Sequence, residues 1–600
     1  MKHKLIYAGL LPLLTFSVLP AMAEDVDAVA LNTPASGKID ATAISRPDTE
    51  AVPVAQGQES SDRLDVAKKP SWWRQIRATG SVQTEFLIPF EDAGIGTGTY
   101  DKDVLNNTYF DLTVNAPYVS VGARFQWTKW PLPGFEKDFA GWGVPYFWAT
   151  GKYKWAQLTA GDFYEQFGSG LILRTYQERS LGIDNAIRGG RLKLTPANGL
   201  KFTALAGKQR RYWEHNSAWI WGADAEWSLN ESFSNAFGND YGLTLGASYV
   251  GKHEKDENIY MLIPPDEIGR LNFPKEVAAF DVRANARLRN VNVLAEVAWK
   301  NNDPTSANNY TYGKGTAALL SVSYAANGFS AYVQAKRSEN MSYKSKRSMT
   351  GISSFINHLP AFTVTQTYAL AAMYPYATQP EGEWAFQTEL RYLFKKNTPL
   401  GGKYGTSVRA SASYISALYQ NVPEGADPKK PPMGSDGYGS AFWKIGGLNY
   451  ADLNLEIEKK LSRKLKLTLF YLFQKYNQTV VEGHGGMVTA NTFILEGQWK
   501  MAKKTQLRWE AQYMRTKQDK GDWLAGLLEL SLAPHWMFTL TDTWNLSGHD
   551  YYSAMVTYNY RANRFTLGYG RTRAGYNCSG GVCRWVPATK GFSLTYNFTF

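Results

Sequence analysis

The last twelve residues, TKGFSLTYNFTF (589–600), alternate without a break. Phe592, Leu594, Tyr596, Phe598 and Phe600 share one face of an extended strand, and Gly591, Ser593, Thr595, Asn597 and Thr599 share the other, because successive side chains of a strand point to opposite sides. The same period recurs upstream. Val119, Val121, Ala123, Phe125 and Trp127 alternate with Ser120, Gly122, Arg124 and Gln126. Phe280, Val282, Ala284, Ala286 and Leu288 alternate with Asp281, Arg283, Asn285 and Arg287, and Ala451, Leu453, Leu455 and Ile457 with Asp452, Asn454, Glu456 and Glu458. A soluble two-sheet sandwich also alternates, but it does not need so many strands of roughly ten residues with Tyr and Trp near their ends.

Composition narrows the choice. Aromatic residues make up 14% of the chain, with 36 Tyr and 20 Trp, yet the mean hydropathy is only −0.36. Beyond the N-terminus no stretch approaches the ~20 apolar residues of a membrane-spanning helix. MKHKLIYAGLLPLLTFSVLPAMA has Lys2 and Lys4, an apolar run from Leu5 to Leu19 and Ala21-Met22-Ala23, the plan of a secretory signal peptide over 1–23. Residues 24–74 are rich in Ala, Pro, Ser and Asp, a composition that predicts a disordered periplasmic tail. The fold expected for 75–600 is all-β: a transmembrane antiparallel β-barrel of about 24 strands (22–26) in the outer membrane, with long extracellular loops. Short connections fall at 115–118, 195–199, 289–291, 325–328, 459–464, 501–504, 533–535 and 561–564, and longer ones between them. The terminal Phe600 resembles the C-terminal signal of outer-membrane barrels, which the barrel-insertion machinery reads. Cys578 and Cys583, five residues apart across Ser-Gly-Gly in an exported chain, predict a structural disulfide in the last long loop.

One stretch breaks the pattern. GDFYEQFGSGLILRTYQERSLGIDNAIRGGR (161–191) holds four Arg, two Asp and two Glu among glycines and aromatics. It is too long for a hairpin and too apolar for a freely solvated loop. A barrel of this size has a lumen too wide for wall side chains to fill, and only the tail precedes the first strand. The expectation is therefore an inward-folded loop over about 164–187 that narrows the pore. Its charge network would be Asp162, Glu165, Arg174, Glu178, Arg179, Asp184, Arg188 and Arg191, oppositely charged groups fixed in orientation by pairing. Asp162 shares parity with Leu158 and Ala160, so it either lies above the apolar band or is turned inward by a bulge at Gly161. With the signal peptide and terminal Phe, this stretch resembles an uncharacterised outer-membrane β-barrel family of Bacteroidota, and more distantly the alginate-export type of porin. The resemblance implies location and fold and brings no assigned substrate.

The formal net charge is +12. Lumen-facing charges are expected at Arg124, Arg283, Arg287, Arg409, Lys466, Asp452 and Glu456. Mixed signs argue against strong selectivity for one sign, while the Arg-rich loop modestly favours polar or anionic solutes. Of seven histidines, six follow residue 23, and none sits in a Ser-His-acid or metal-ligand pattern. No enzymatic activity, metal, cofactor or nucleic-acid partner is expected. The expected surroundings are outer-membrane lipid and lipopolysaccharide. The function expected is a porin-like channel; the alternative is a subunit of a larger surface or secretion assembly that binds protein partners through its long loops and tail. The apolar stretch 353–377 stands as a partner surface, a second inward loop or a packed lid.

Overall fold

A computed structural model of the chain describes residues 75–600 apart from 235–237, 239, 264–265 and 428–429; the expected signal peptide and tail lie outside the described residues. Twenty-four antiparallel strands, from Arg77–Phe90 to Thr589–Thr599, form one sheet. The strands follow one another around the wall in chain order, and the last pairs with the first, Val82 opposite Phe598 and Phe86 opposite Leu594. Closure leaves no strand standing as the free edge of the sheet. The alternation has the sense read from the sequence. Val121, Trp127, Phe280, Val282, Leu453 and Leu455 are exposed on the outside, while Arg124, Gln126, Asp281 and Asp452 between them are buried inside. An apolar exterior over a polar interior is the arrangement by which barrels cross membranes.

The eight predicted short connections all occur, and several close in two residues. Gly199 and Gly328 take φ of 80° and 81°, a region open to glycine, which permits tight turns at 198–199 and 327–328. The opposite end carries 164–186, 254–275, 301–314, 340–381, 421–439 and 573–588. The asymmetry has exceptions: 212–213 and 546–548 are short at the long-loop end, and 229–240 and 395–405 are long at the turn end. Cys578 and Cys583 form the expected disulfide, across a small hairpin of Gly575–Ser579 and Val582–Val586.

Candidate functional site

The 164–186 connection begins where the strand Ala156–Phe163 ends. Gly168 and Gly170 turn the chain with φ of 51° and 87°. They place Phe167, Leu171, Ile172 and Leu173 in one buried cluster with Ile220, Val250, Ala279 and Ala298 of the wall. Ser169 anchors the tip: its backbone N–H and its hydroxyl donate to the Glu296 carboxylate at 3.0 and 2.5 Å. A Cβ at Gly168 would lie 2.5 Å from Glu296 Oε1, so the approach depends on glycine.

The 340–381 connection meets it. The Asn357 amide donates to Leu171 O and Met341 O at 2.7 and 2.8 Å. Arg174 N–H donates to Ile356 O at 2.9 Å, and Asn185 to Phe355 O at 3.1 Å. Farther along, Phe362, Leu370, Met373, Tyr374 and Tyr376 pack with Ile415, Tyr450, Tyr476, Met514 and Trp523. Tyr368 donates to Glu496 at 2.8 Å and Gln474 to Tyr374 O at 3.0 Å. Much of the apolar stretch 353–377 is therefore consumed by burial in its own barrel. The disulfide hairpin touches both connections. Thr378 N–H donates to Gly581 O at 2.9 Å, Arg584 donates to Ser180 O at 2.8 Å, and the Ser579 hydroxyl donates to Glu178 at 3.3 Å.

Charges knit the first connection to the wall. Asp184 accepts from Arg124 at 3.0 Å, from Arg210 at 2.7 Å and from the Tyr164 hydroxyl at 2.8 Å. Asp111 takes the Arg124 Nε and an Arg179 nitrogen, each at 2.6 Å, and Glu165 takes Arg191 at 3.0 Å and Lys193 at 3.1 Å. Glu178 accepts from Ser180 at 2.8 Å. Burial lifts the Tyr164 phenol far above its usual range, with the Asp184 charge adding to it, and pushes Tyr176 up to about 12. Arg174 differs from the others. It is half-buried, lies 5.0 Å over the Tyr176 ring, and no carboxylate of the described residues pairs with it. His358, edge-on to the same tyrosine at 4.8 Å, is lowered to about 3 by burial, with the Arg174 charge as a second cause.

Asp162 and Arg188 do not join this network, which corrects the expectation. They face each other across neighbouring strands on the outside of the wall. Gly161 has φ 106°, but the register with Ile187–Ala197 runs unbroken through it, so Asp162 keeps the parity of the exposed Leu158 and Ala160 while its own carboxylate is covered. The reason is a missing stretch of ladder. Ala156–Phe163 has 8 residues beside strands of 13 and 11, Gly141–Tyr153 and Ile187–Ala197, and it pairs with the former only as far as Trp148. Above that point, Asp162 Oδ2 accepts from Phe147 N–H at 2.9 Å. Arg188 donates to Pro145 O at 2.8 Å and to Asp162 at 2.7 Å. Two side chains thus satisfy backbone groups that a neighbouring strand would otherwise pair.

The remaining predicted wall charges are largely neutralised. Arg283 reaches Asp224, Glu226 and Asp281 at 2.6, 2.8 and 3.0 Å. Arg409 pairs with Glu389 at 2.7 Å and lies opposite Glu456 in register. Lys466 pairs with Glu458 at 3.1 Å. Asp452 accepts from Ser413 N–H at 2.8 Å and the Tyr450 hydroxyl at 2.9 Å, and Arg287 stands opposite Asn292. Sequence reasoning missed Arg210 and the role of Ser169. Their partners lie 26 and 127 residues away, and no local pattern announces a pairing at that range. Among the described residues no three His, Cys, Asp or Glu side chains gather as a metal site.

Several solved structures match this chain at low identity. The siderophore receptor PirA from Pseudomonas aeruginosa matches with 12% identity over 89% of this chain and 81% of its own, at a TM-score of 0.37. Acinetobacter baumannii OccAB3 matches with 8% identity over 88% and 99%, at 0.33. The P pilus usher PapC translocation pore matches with 10% identity over 88% and 98%, at 0.34. No curated protein sequence matches the chain. The profile of DUF6029 matches residues 60–600, and the chain belongs to this family of unknown function.

Proposed function

We propose that the protein is a porin-like channel of the outer membrane, in which the 164–186 connection folds inward and narrows the lumen to a path for polar or anionic solutes. The observation that carries this reading is the bond from Ser169 to Glu296 on the inner wall, which supports an inward course for the loop. Arg174 supports the anionic preference, since no carboxylate of the described residues pairs with it while the other guanidiniums of the stretch are paired. Glu178 and the disulfide hairpin would then stand at the extracellular mouth. We keep a non-enzymatic reading.

The test is planar-bilayer conductance of the reconstituted protein. Deleting 166–182 is expected to raise the unitary conductance, and Arg174→Glu to shift permeability toward cations. Unchanged conductance in the deletion, with the folded barrel verified by heat-modifiable migration on gels, overturns the constriction. A second reading has one observation of its own. The hairpin Tyr260–Ile263 with Glu267–Arg270 stands within a long connection and exposes Tyr260, Leu262 and Ile268, an apolar edge of the kind that binds partner proteins. Co-purification of a partner at fixed stoichiometry, lost on replacing Leu262 and Ile268 by serine, would favour an assembly subunit.

A further inference from the structure

The outside of the barrel carries a notch in an otherwise bulky apolar surface. Ala204, Ala223, Ala225 and Ala247 come from three successive strands and face one another in register, Ala223 opposite Ala204 and Ala225 opposite Ala247. Leu194 and Phe202 stand on one side and Tyr249 on the other, around a volume of about 430 Å³. That lies within the size range of small-molecule sites, roughly 300–1,000 Å³. Toward the long-loop end the small residues continue, with Gly190 opposite Ala206. One outward rung higher, Arg188 stands opposite Lys208, and Lys208 opposite Trp219.

The two cations of that rung are not equivalent. Arg188 is held by Asp162. Lys208 lies 5.5 Å over the exposed Trp219 ring, and no carboxylate of the described residues pairs with it. The strand from Lys208 down to Phe202 runs about 20 Å, which at a barrel tilt of ~40° is about 15 Å of depth, one leaflet of the hydrocarbon core. A lone cation beside an indole at headgroup depth, over a small-residue track that opens into a notch, matches an anionic head with a hydrocarbon tail.

We propose that this track is a binding site for a phosphate-bearing glycolipid of the outer leaflet, its phosphate on Lys208 and one acyl chain in the alanine notch. The site rests on the outer-membrane placement proposed above. The experiment uses the full barrel in a mild detergent, with native mass spectrometry as readout and lipid A, dephosphorylated lipid A and phosphatidylcholine as probes. Wild type is expected to retain lipid A about tenfold better than its dephosphorylated form, the weight of a charge-assisted contact. Lys208→Glu is expected to abolish that preference and Lys208→Arg to keep it. Ala223→Phe, which fills the notch from the lipid side, is expected to lower retention of both lipid A forms. Equal retention of all three lipids by wild type, or an undiminished phosphate preference in Lys208→Glu, overturns the site and leaves the channel reading intact. A chain that fails to insert into bilayers overturns the placement itself, and the site with it.

Discussion

At the scale of single residues, Asp184 concentrates the most consequence. It accepts from two guanidiniums that are almost fully buried, with Arg210 1% exposed and Arg124 7% exposed at the side chain. Removing one partner of such a set strands the other charges, a loss of about 3–5 kcal/mol. Asp184→Asn is therefore expected to lower unfolding stability by that order, read from tryptophan fluorescence in urea with the barrel in detergent micelles. His358 gives a pH dependence. Its folded value near 3 lies below the ~6.5 of an exposed histidine. Between those values the open form binds the extra proton, so the packed loops lose stability as pH falls and keep it fully above about 7. At pH 5 the loss is about 2 kcal/mol. Hydrogen exchange over 353–360, corrected for intrinsic rates, is expected to speed up between pH 7 and pH 5 in wild type and to stay level in His358→Gln.

At the scale of elements, the disulfide hairpin is a small part with reach, since it touches the 164–186 and 340–381 connections together. Closing so short a loop is worth about 2 kcal/mol in the chain-entropy account. Replacing Cys578 and Cys583 by serine is expected to raise hydrogen exchange in 575–586 and at Ser180 and Thr378, and to leave the wall strands unchanged. Equal protection in the double variant would show that the ladder alone holds the hairpin. Elements were also where the sequence was most legible. The turn at Asn327-Gly328 and the alternation over Val119–Thr128 are local, carried by neighbouring side chains and one backbone preference each. The course of 353–377 was not legible, because its apolar residues suit a partner, a lid or a core equally. What decides among these is the wall opposite, including Ile415, Tyr450 and Trp523, far away in the chain. Asp162 and Arg188 misled for a related reason: their charges fit a loop network, and only the short ladder of Ala156–Phe163 shows that they serve the wall.

At the scale of the whole molecule, the barrel is closed by its first and last strands. Phe600 N–H donates to Gly80 O and Gly80 N–H to Phe600 O, both at 3.0 Å, and the Phe600 ring covers Gly80 so closely that a Cβ there would lie 2.4 Å from it. Phe600→Ala is expected to lower the yield of heat-modifiable, folded barrel, whereas Phe600→Tyr preserves the ring and the yield. An unchanged yield in the alanine variant would mean that backbone pairing alone closes the wall. Among the junctions of the closed wall is one of a different kind, where Asp162 and Arg188 stand in for a strand that ends early. A backbone ladder is indifferent to which residues it joins; a junction made of side chains is not. A single codon can weaken, tighten or open the barrel there without disturbing the strands on either side, so this is a place where descendants of the chain can acquire a lateral doorway by point mutation.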